Sequence, residues 1–216
     1  MPFAAIGCHF PQRRAEIEEY AGLLSTVGVE RGLIGPREAS RVWDRHILNC
    51  AVIAPLFEHG ATVADIGSGA GLPGLVLALS RPDMSLTLIE PIQRRTAFLS
   101  EVVEHLRMSN VTVVRGRAED LYGAGCFDVV TARAVAPLDR LAHLALPLCR
   151  RGGELVAIKG SRAVQEVKSA RRVLLELSAG QVRIEHYGAG LVSSPTVIVR
   201  IQAPGETQPH SSEARP

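Results

Sequence analysis

Lysine is nearly absent from this 216-residue chain: of 24 basic side chains only Lys159 and Lys168 are lysine, leaving 22 arginines. Arginine grips phosphate with two parallel hydrogen bonds and stacks on bases, which suits RNA. The same excess follows from the coding bias of a GC-rich genome, which takes the larger share of the explanation. A formal net charge of +2 is too small to establish a nucleic-acid partner. The four cysteines, Cys8, Cys50, Cys126 and Cys149, are far apart and form no Cys-x-x-Cys pair, so neither a disulfide framework nor a zinc site is signalled. No Ser-His-Asp or Cys-His arrangement and no His/Glu metal motif is present, so no metal is expected. No apolar run approaches the roughly eighteen residues of a spanning helix, and the first residues lack the pattern of a signal peptide. Membrane integration is excluded on this reading, and cytoplasmic residence is expected. Internal repeats are absent.

With 46% hydrophobic and 21% charged residues, the chain can bury the core of one α/β domain, with about fifty residues left over. Ile17, Tyr20, Ala21, Leu23, Leu24 and Val27 recur at helical spacing, predicting an amphipathic helix over 13–27. A second helical stretch is expected over 36–57, with Pro55 marking a kink or an end. After Gly60 short apolar runs alternate with helical patterns, the signature of repeated βα units. Strands are expected near 62–66, 85–90, 111–115, 127–132 and 153–159, with helices near 74–81, 91–107, 118–122, 137–150 and 162–178. Two further β-like stretches, 182–187 and 196–201, can pair as neighbours. The expectation is a helical extension over 1–60 packed on a Rossmann-like domain over 61–202, whose parallel sheet ends in an antiparallel pair. The Pro- and Ser-rich tail 203–216 is expected to be disordered.

The segment Thr62-Val-Ala-Asp-Ile-Gly-Ser-Gly-Ala-Gly-Leu-Pro-Gly74 carries the functional signal. A buried strand runs into a turn where Gly67, Gly69 and Gly71 let the backbone take positive φ and approach a ligand, and a helix starts beyond it. Glu90, sixteen residues after Gly74 at the end of the next apolar run, sits where a carboxylate accepts both hydroxyls of a ribose. Gly69-Ala-Gly71-Leu-Pro-Gly74 formally fits the dinucleotide fingerprint, but the strand ends at Ile66 and Gly67 is the first turn residue, so the match is out of phase. What remains is Asp65-x-Gly67-x-Gly69-x-Gly71. An acid beside the loop suits a cation such as the ammonium of a methionine moiety better than a pyrophosphate.

Four more stretches follow in order: Asp44-Arg45-His46-Ile47-Leu48, Arg117-Ala118-Glu119, Thr131-Ala132-Arg133-Ala134 and Ile158-Lys159-Gly160. Together with the glycine loop they resemble the bacterial 16S ribosomal RNA guanine-N7 methyltransferases, the family of glucose-inhibited division protein B, over about 13–201. The resemblance implies a class I methyltransferase fold that uses S-adenosyl-L-methionine and acts on guanine 527 in the 530 loop of 16S RNA. The substrate would be the small ribosomal subunit or an assembly intermediate, and the enzyme a monomer. It also implies that Gly67, Leu72, Ala118, Glu119 and Arg133 face the cofactor. Where the family often has Asp-Ser after the N-terminal motif, this chain has Asn49-Cys50.

Each candidate also has a plain structural reading. Glu90 could cap the following helix, Asp65 could bond loop N–H groups, and Glu119 could be a first-turn acid favoured by the helix dipole. Arg133 and Lys159, at the carboxyl ends of two strands, are the candidates for positioning guanine through O6, and Lys159 for an RNA contact; no general base is required because N7 carries a free lone pair. Arg45, His46, Arg94 and Arg95 are candidate RNA contacts, weighed against ordinary solvated helix faces. Two other classes compete: an NAD-dependent oxidoreductase, disfavoured because no Tyr-x-x-x-Lys pair is present, and a non-catalytic RNA-binding protein on a methyltransferase fold.

Overall fold

In the computed structural model, residues 7–123 and 126–205 are described. Seven strands form one sheet: β1 (Thr62–Ile66), β2 (Ser85–Ile89), β3 (Val111–Val114), β4 (Phe127–Arg133), β5 (Cys149–Lys159), β6 (Val182–Tyr187) and β7 (Thr196–Gln202). Their spatial order is β3-β2-β1-β4-β5-β7-β6. β1 to β5 run parallel, while β7 pairs antiparallel with both β5 and β6. The carboxyl ends of β1, β2, β4 and β5 therefore share one edge, where open α/β sheets bind ligands.

Side chains alternate between the two faces, and both faces are covered. Val63, Val156 and Ile198 enter one core with helices α1 (Arg14–Ser25), α2 (Gly74–Ser80) and α3 (Gln93–His105). Ala64, Leu155, Ala157 and Val199 enter the other with α4 (Leu138–Ala145) and α5 (Ala163–Glu176). Phe10, Ile17, Tyr20, Leu24, Ile47 and Ile53 lie in the same core as Leu75 and Phe98. The segment before β1 is thus a layer of this fold.

The stretch expected as one long helix over 36–57 winds differently. A 3-10 turn (Pro36–Arg41) leads into a π-helical stretch (Val42–Leu48), one turn of α-helix (Asn49–Ala51) and a second 3-10 turn (Ala54–Leu56). Val42, Ile47 and Val52 are all buried. Their spacing of five residues matches the wider i→i+5 winding better than an α-helix. Strand β5 begins at Cys149, four residues earlier than expected, because the chain bulges between the Phe127 and Val129 pairings and re-enters the ladder at Glu154. Helix α4 stops at Ala145, where a 3-10 turn containing Pro147 takes over, and α3 starts only at Gln93, beyond Pro91 and the extended Ile92. Ala203, expected in the loose tail, is buried and donates its N–H to Gly153 O at 2.8 Å. The rest of that expectation, 206–216, lies outside the described residues.

Gly74 opens α2 where the helix lies against β1 and β2. A Cβ there would come within 2.3 Å of Leu88 Cδ2 and 2.7 Å of Asp65 Oδ2. The close helix–strand approach that a third fingerprint glycine allows is therefore present, although the turn itself starts at Gly67. Gly74→Ala is expected to destabilise the protein by about 1–3 kcal/mol, the usual cost of overpacking. Urea unfolding checks this: an unchanged midpoint would show that α2 can shift outward freely.

Candidate active site

The loop after β1 is held by hydrogen bonds to its own backbone and to two buried carboxylates that flank it. Gly67 (φ 63°) and Gly69 (φ 59°) take the left-handed conformation that side chains resist. Gly67 N–H donates to Ile89 O at 2.8 Å, and Gly71 N–H to Ser68 O at 2.7 Å. Glu90, at the end of β2, accepts from Gly69 N–H through Oε2 and from Ile92 N–H through Oε1, both at 2.9 Å. It thereby fixes the loop and the entry to α3 together. Asp65 Oδ2 accepts from Gly74 N–H at 3.0 Å at the start of α2, while Oδ1 is buried with no protein partner. Burial pushes the Asp65 carboxyl up to about 7, partly opposed by the Gly74 N–H, Ser68 and the Arg133 cation. From α1, Tyr20 hydroxyl donates to Ala70 O at 2.7 Å and presses on the space a Gly71 side chain would need. Helical spacing marked Tyr20 only as a core residue; its reach across fifty residues to the loop left no local signal.

Leu72, within this loop, is buried, and so is Ala118, on a 3-10 turn (Ala118–Leu121) after β3 in the same core as Ile66 and Ile89, whereas Glu119 is exposed on that turn. Arg94 is exposed on α3. Arg95 is half-buried, with its guanidinium 3.8 Å from Glu90 Oε2.

Next to the loop, a cavity of about 1180 Å³ opens over the carboxyl ends of β4 and β5 and the start of β7. Val135 belongs to its wall and also touches Gly67, where a Cβ would lie 2.9 Å from Val135 Cγ2. Loop and cavity therefore share a wall. Arg41, Arg45 and Arg162 contribute cations to the lining. Asp44 closes one side by accepting from Ser193 N–H at 2.8 Å and Ser193 hydroxyl at 2.5 Å, which straps the β6–β7 loop to the N-terminal layer. These bonds hold the Asp44 carboxyl below its ordinary range.

Two sequence expectations change at this point. Lys159 Nζ is buried and donates to Ala136 O and Glu166 Oε2, both at 2.7 Å, while Glu166 Oε2 also accepts from Leu138 N–H at 3.0 Å. Its charge is used to hold the loop between β4 and α4, which explains a lysine at this strand end without an RNA phosphate. His46 is also buried: Nδ1 meets Arg133 Nη2, and Nε2 lies 3.1 Å from Glu38 Oε2, so it is an internal contact and not an RNA-facing group. Arg45 does stay largely exposed, paired with Glu38 at 3.3 Å on the cavity rim. Arg133 lines the cavity but points into the N-terminal layer, donating also to Cys50 Sγ at 3.3 Å and Arg45 O at 3.5 Å. Glu38, Cys50, Val135 and Glu166 were not legible as site residues. Among the described residues no group of three or more His, Cys, Asp or Glu side chains could hold a metal, and no helix is long and apolar enough to cross a membrane.

A glycine loop after the first strand, an acid closing the second and a 3-2-1-4-5-7-6 sheet define the class I methyltransferase fold. Solved structures agree: a SAM-dependent O-methyltransferase from Thermotoga maritima aligns with TM-score 0.58 at 12% identity, covering 80% of this chain and 72% of that one. Fibrillarin from Aeropyrum pernix, solved with S-adenosyl-L-methionine, gives 0.53 at 17% identity over 74% and 76%. The sequence goes further. Residues 13–194 match the family described as GidB, rRNA small subunit methyltransferase G, and the chain belongs to that family. The ribosomal RNA small subunit methyltransferase G of Salinispora tropica is 53% identical over 93% of this chain and 88% of its own length. That of Streptomyces coelicolor is 54% identical over 89% and 81%.

A carboxyl that keeps its proton to about pH 7 when folded, but releases it near 3.8 when unfolded, gives up that proton on unfolding between these values. Its contribution to stability therefore falls as pH rises through that window. Asp65→Asn should gain stability relative to the native protein as pH rises from 5 to 8, read by urea unfolding at each pH. A difference independent of pH would show that Asp65 is ionised throughout.

Proposed function

We propose that this protein transfers a methyl group from S-adenosyl-L-methionine to N7 of a guanine in 16S ribosomal RNA, guanine 527 of the 530 loop. It would act in the cytoplasm as a monomer on the small subunit or an assembly intermediate. Family membership supports the reaction. The observation that supports the site assignment is the closeness of the glycine loop to the cavity, since Val135 both lines the cavity and packs where a Gly67 side chain would stand; we read the loop as the cofactor side and the roomy cavity as the RNA side.

The residues present fit the cofactor. Asp65 Oδ1, buried without a donor, suits the ammonium of its methionine end. Glu90 has acceptor capacity beyond its two backbone N–H bonds for the ribose hydroxyls. Ala118 and Glu119 would flank the adenine, and Leu72 with Gly67, Gly69 and Gly71 would form the floor. When bound, S-adenosyl-L-methionine supplies a sulfonium methyl, an electrophile that the guanine N7 lone pair attacks directly.

No side chain has to remove a proton before that attack, so the chain contributes position and exclusion of water. Arg133, the cofactor-side arginine at the end of β4, would contact bound S-adenosyl-L-methionine, and from the same place it can donate to guanine O6 while leaving N7 open. Its three contacts to the N-terminal layer leave two of five N–H donors for ligands. Lys159 acts one step back, fixing Ala136 and α4 so that Val135 keeps the shared wall in place. Arg41, Arg45 and Arg162 are suited to phosphates flanking the target.

The test incubates the purified protein with methyl-labelled S-adenosyl-L-methionine and small subunits from cells lacking this activity, followed by N7-specific strand cleavage. Label at one guanine of the 530 loop is expected, and Arg133→Ala should lower kcat/KM by about a hundredfold, as loss of a positioning group does. Cofactor binding without label would reject the substrate assignment, and RNA binding without transfer would favour the non-catalytic reading.

A further inference from the structure

Arg133 is the cation at the junction of loop and cavity, yet nothing on its own strand orients it: the contacts described above all come from the N-terminal layer. Guanidinium groups only donate, so the His46 Nδ1 facing Arg133 must offer its lone pair, and the ring proton sits on Nε2. That proton lies beside Glu38 Oε2 at 3.1 Å, a close but off-axis approach. Burial and the neighbouring Arg133 charge push the imidazole down to about 4, which keeps it neutral and able to accept. The same Glu38 holds Arg45 through its other oxygen, so rim and interior are tied to one carboxylate.

The backbone is shaped for this contact. His46 lies in the π-helical stretch Val42–Leu48, and Cys50 follows in the α-turn after it. An extra residue per turn rotates everything downstream by about 100° relative to an α-helix. With that rotation the Arg45 carbonyl, the His46 ring and the Cys50 thiol all converge on one guanidinium. Single π turns inside helical segments concentrate at functional sites, and this one has an evident task.

We infer that His46 is a positioning residue for Arg133: as a neutral acceptor backed by Glu38, it sets the direction in which the guanidinium meets bound S-adenosyl-L-methionine. The inference rests on the proposed placement of Arg133 in the site. Losing the acceptor loosens Arg133 and leaves a partly buried N–H unpaired, without removing any group that itself touches the ligand.

Calorimetric binding of S-adenosyl-L-methionine to the full chain separates the cases. His46→Phe, which keeps a ring but has no acceptor, should weaken binding about tenfold, the scale of one hydrogen bond to a charged group. His46→Asn, whose amide oxygen can reach the Nδ1 position, should restore most of the loss, whereas His46→Gln, with its amide one carbon further out, should not. In an Arg133→Ala background His46→Phe should add nothing, because the two residues act as one unit. Equal losses from His46→Phe with and without Arg133, or native affinity in His46→Phe, would overturn the inference. If His46→Phe does not fold, the Asn and Gln pair decides: equal affinities would reject a role for the acceptor at Nδ1. Native affinity in Arg133→Ala alone would instead remove Arg133 from the cofactor site, a failure of the underlying reading visible before His46 is touched.

Discussion

A loop rich in glycine has few side chains with which to hold its shape, and buried backbone amides must find partners. Here that constraint is met by carboxylates at the ends of β1 and β2. Glu90 takes the Gly69 N–H and the Ile92 N–H, and Asp65 takes the Gly74 N–H. The loop, the start of α2 and the approach to α3 are thereby fixed to the carboxyl edge of the sheet. Neither acid can be exchanged for an apolar residue without stranding an amide, so the two residues proposed to meet the cofactor are also the ones that hold the loop in shape.

The arrangement has a cost that the rest of the molecule offsets. Two acids near one loop in low dielectric repel each other, and Asp65 has one oxygen left bare. Arg133 supplies compensating charge from β4, and the N-terminal layer in turn supplies acceptors for Arg133. The helical layer before β1 is therefore an electrical part of the pocket: Tyr20 reaches the loop, while His46 and Cys50 reach the arginine. Lys159 and Glu166 do the same work on the other side, where a pair of opposite charges fixes the turn into α4.

Much of this was legible in the residues. Short apolar runs alternating with helical patterns located the seven strands, and the acid-glycine pattern with Glu90 located the loop, because both signals are local. The N-terminal layer was harder. Over two turns, apolar spacing does not separate 3.6 residues per turn from a wider winding, so 36–57 read as one helix. The buried partners of charged groups were hidden for another reason. His46 and Arg133 are 87 positions apart, and a histidine beside an arginine on a helical stretch looks like a solvated face until the fold brings a second arginine against it. Lys159 misled in the same way, since the glutamate that neutralises it comes from the next helix.

The strand order carries a temporal consequence. Among the described residues β6 touches the sheet only through β7, and β7 follows the other six strands in the chain. Until β7 emerges during synthesis, β6 has no edge to join, β5 lies open, and the strap from Asp44 to Ser193 has no anchor at its far side. The glycine loop can form from earlier segments, but the wall of the cavity beside β7 cannot. A nascent chain can thus shape the glycine loop before the chamber beside it is closed, and β7 makes the difference between them.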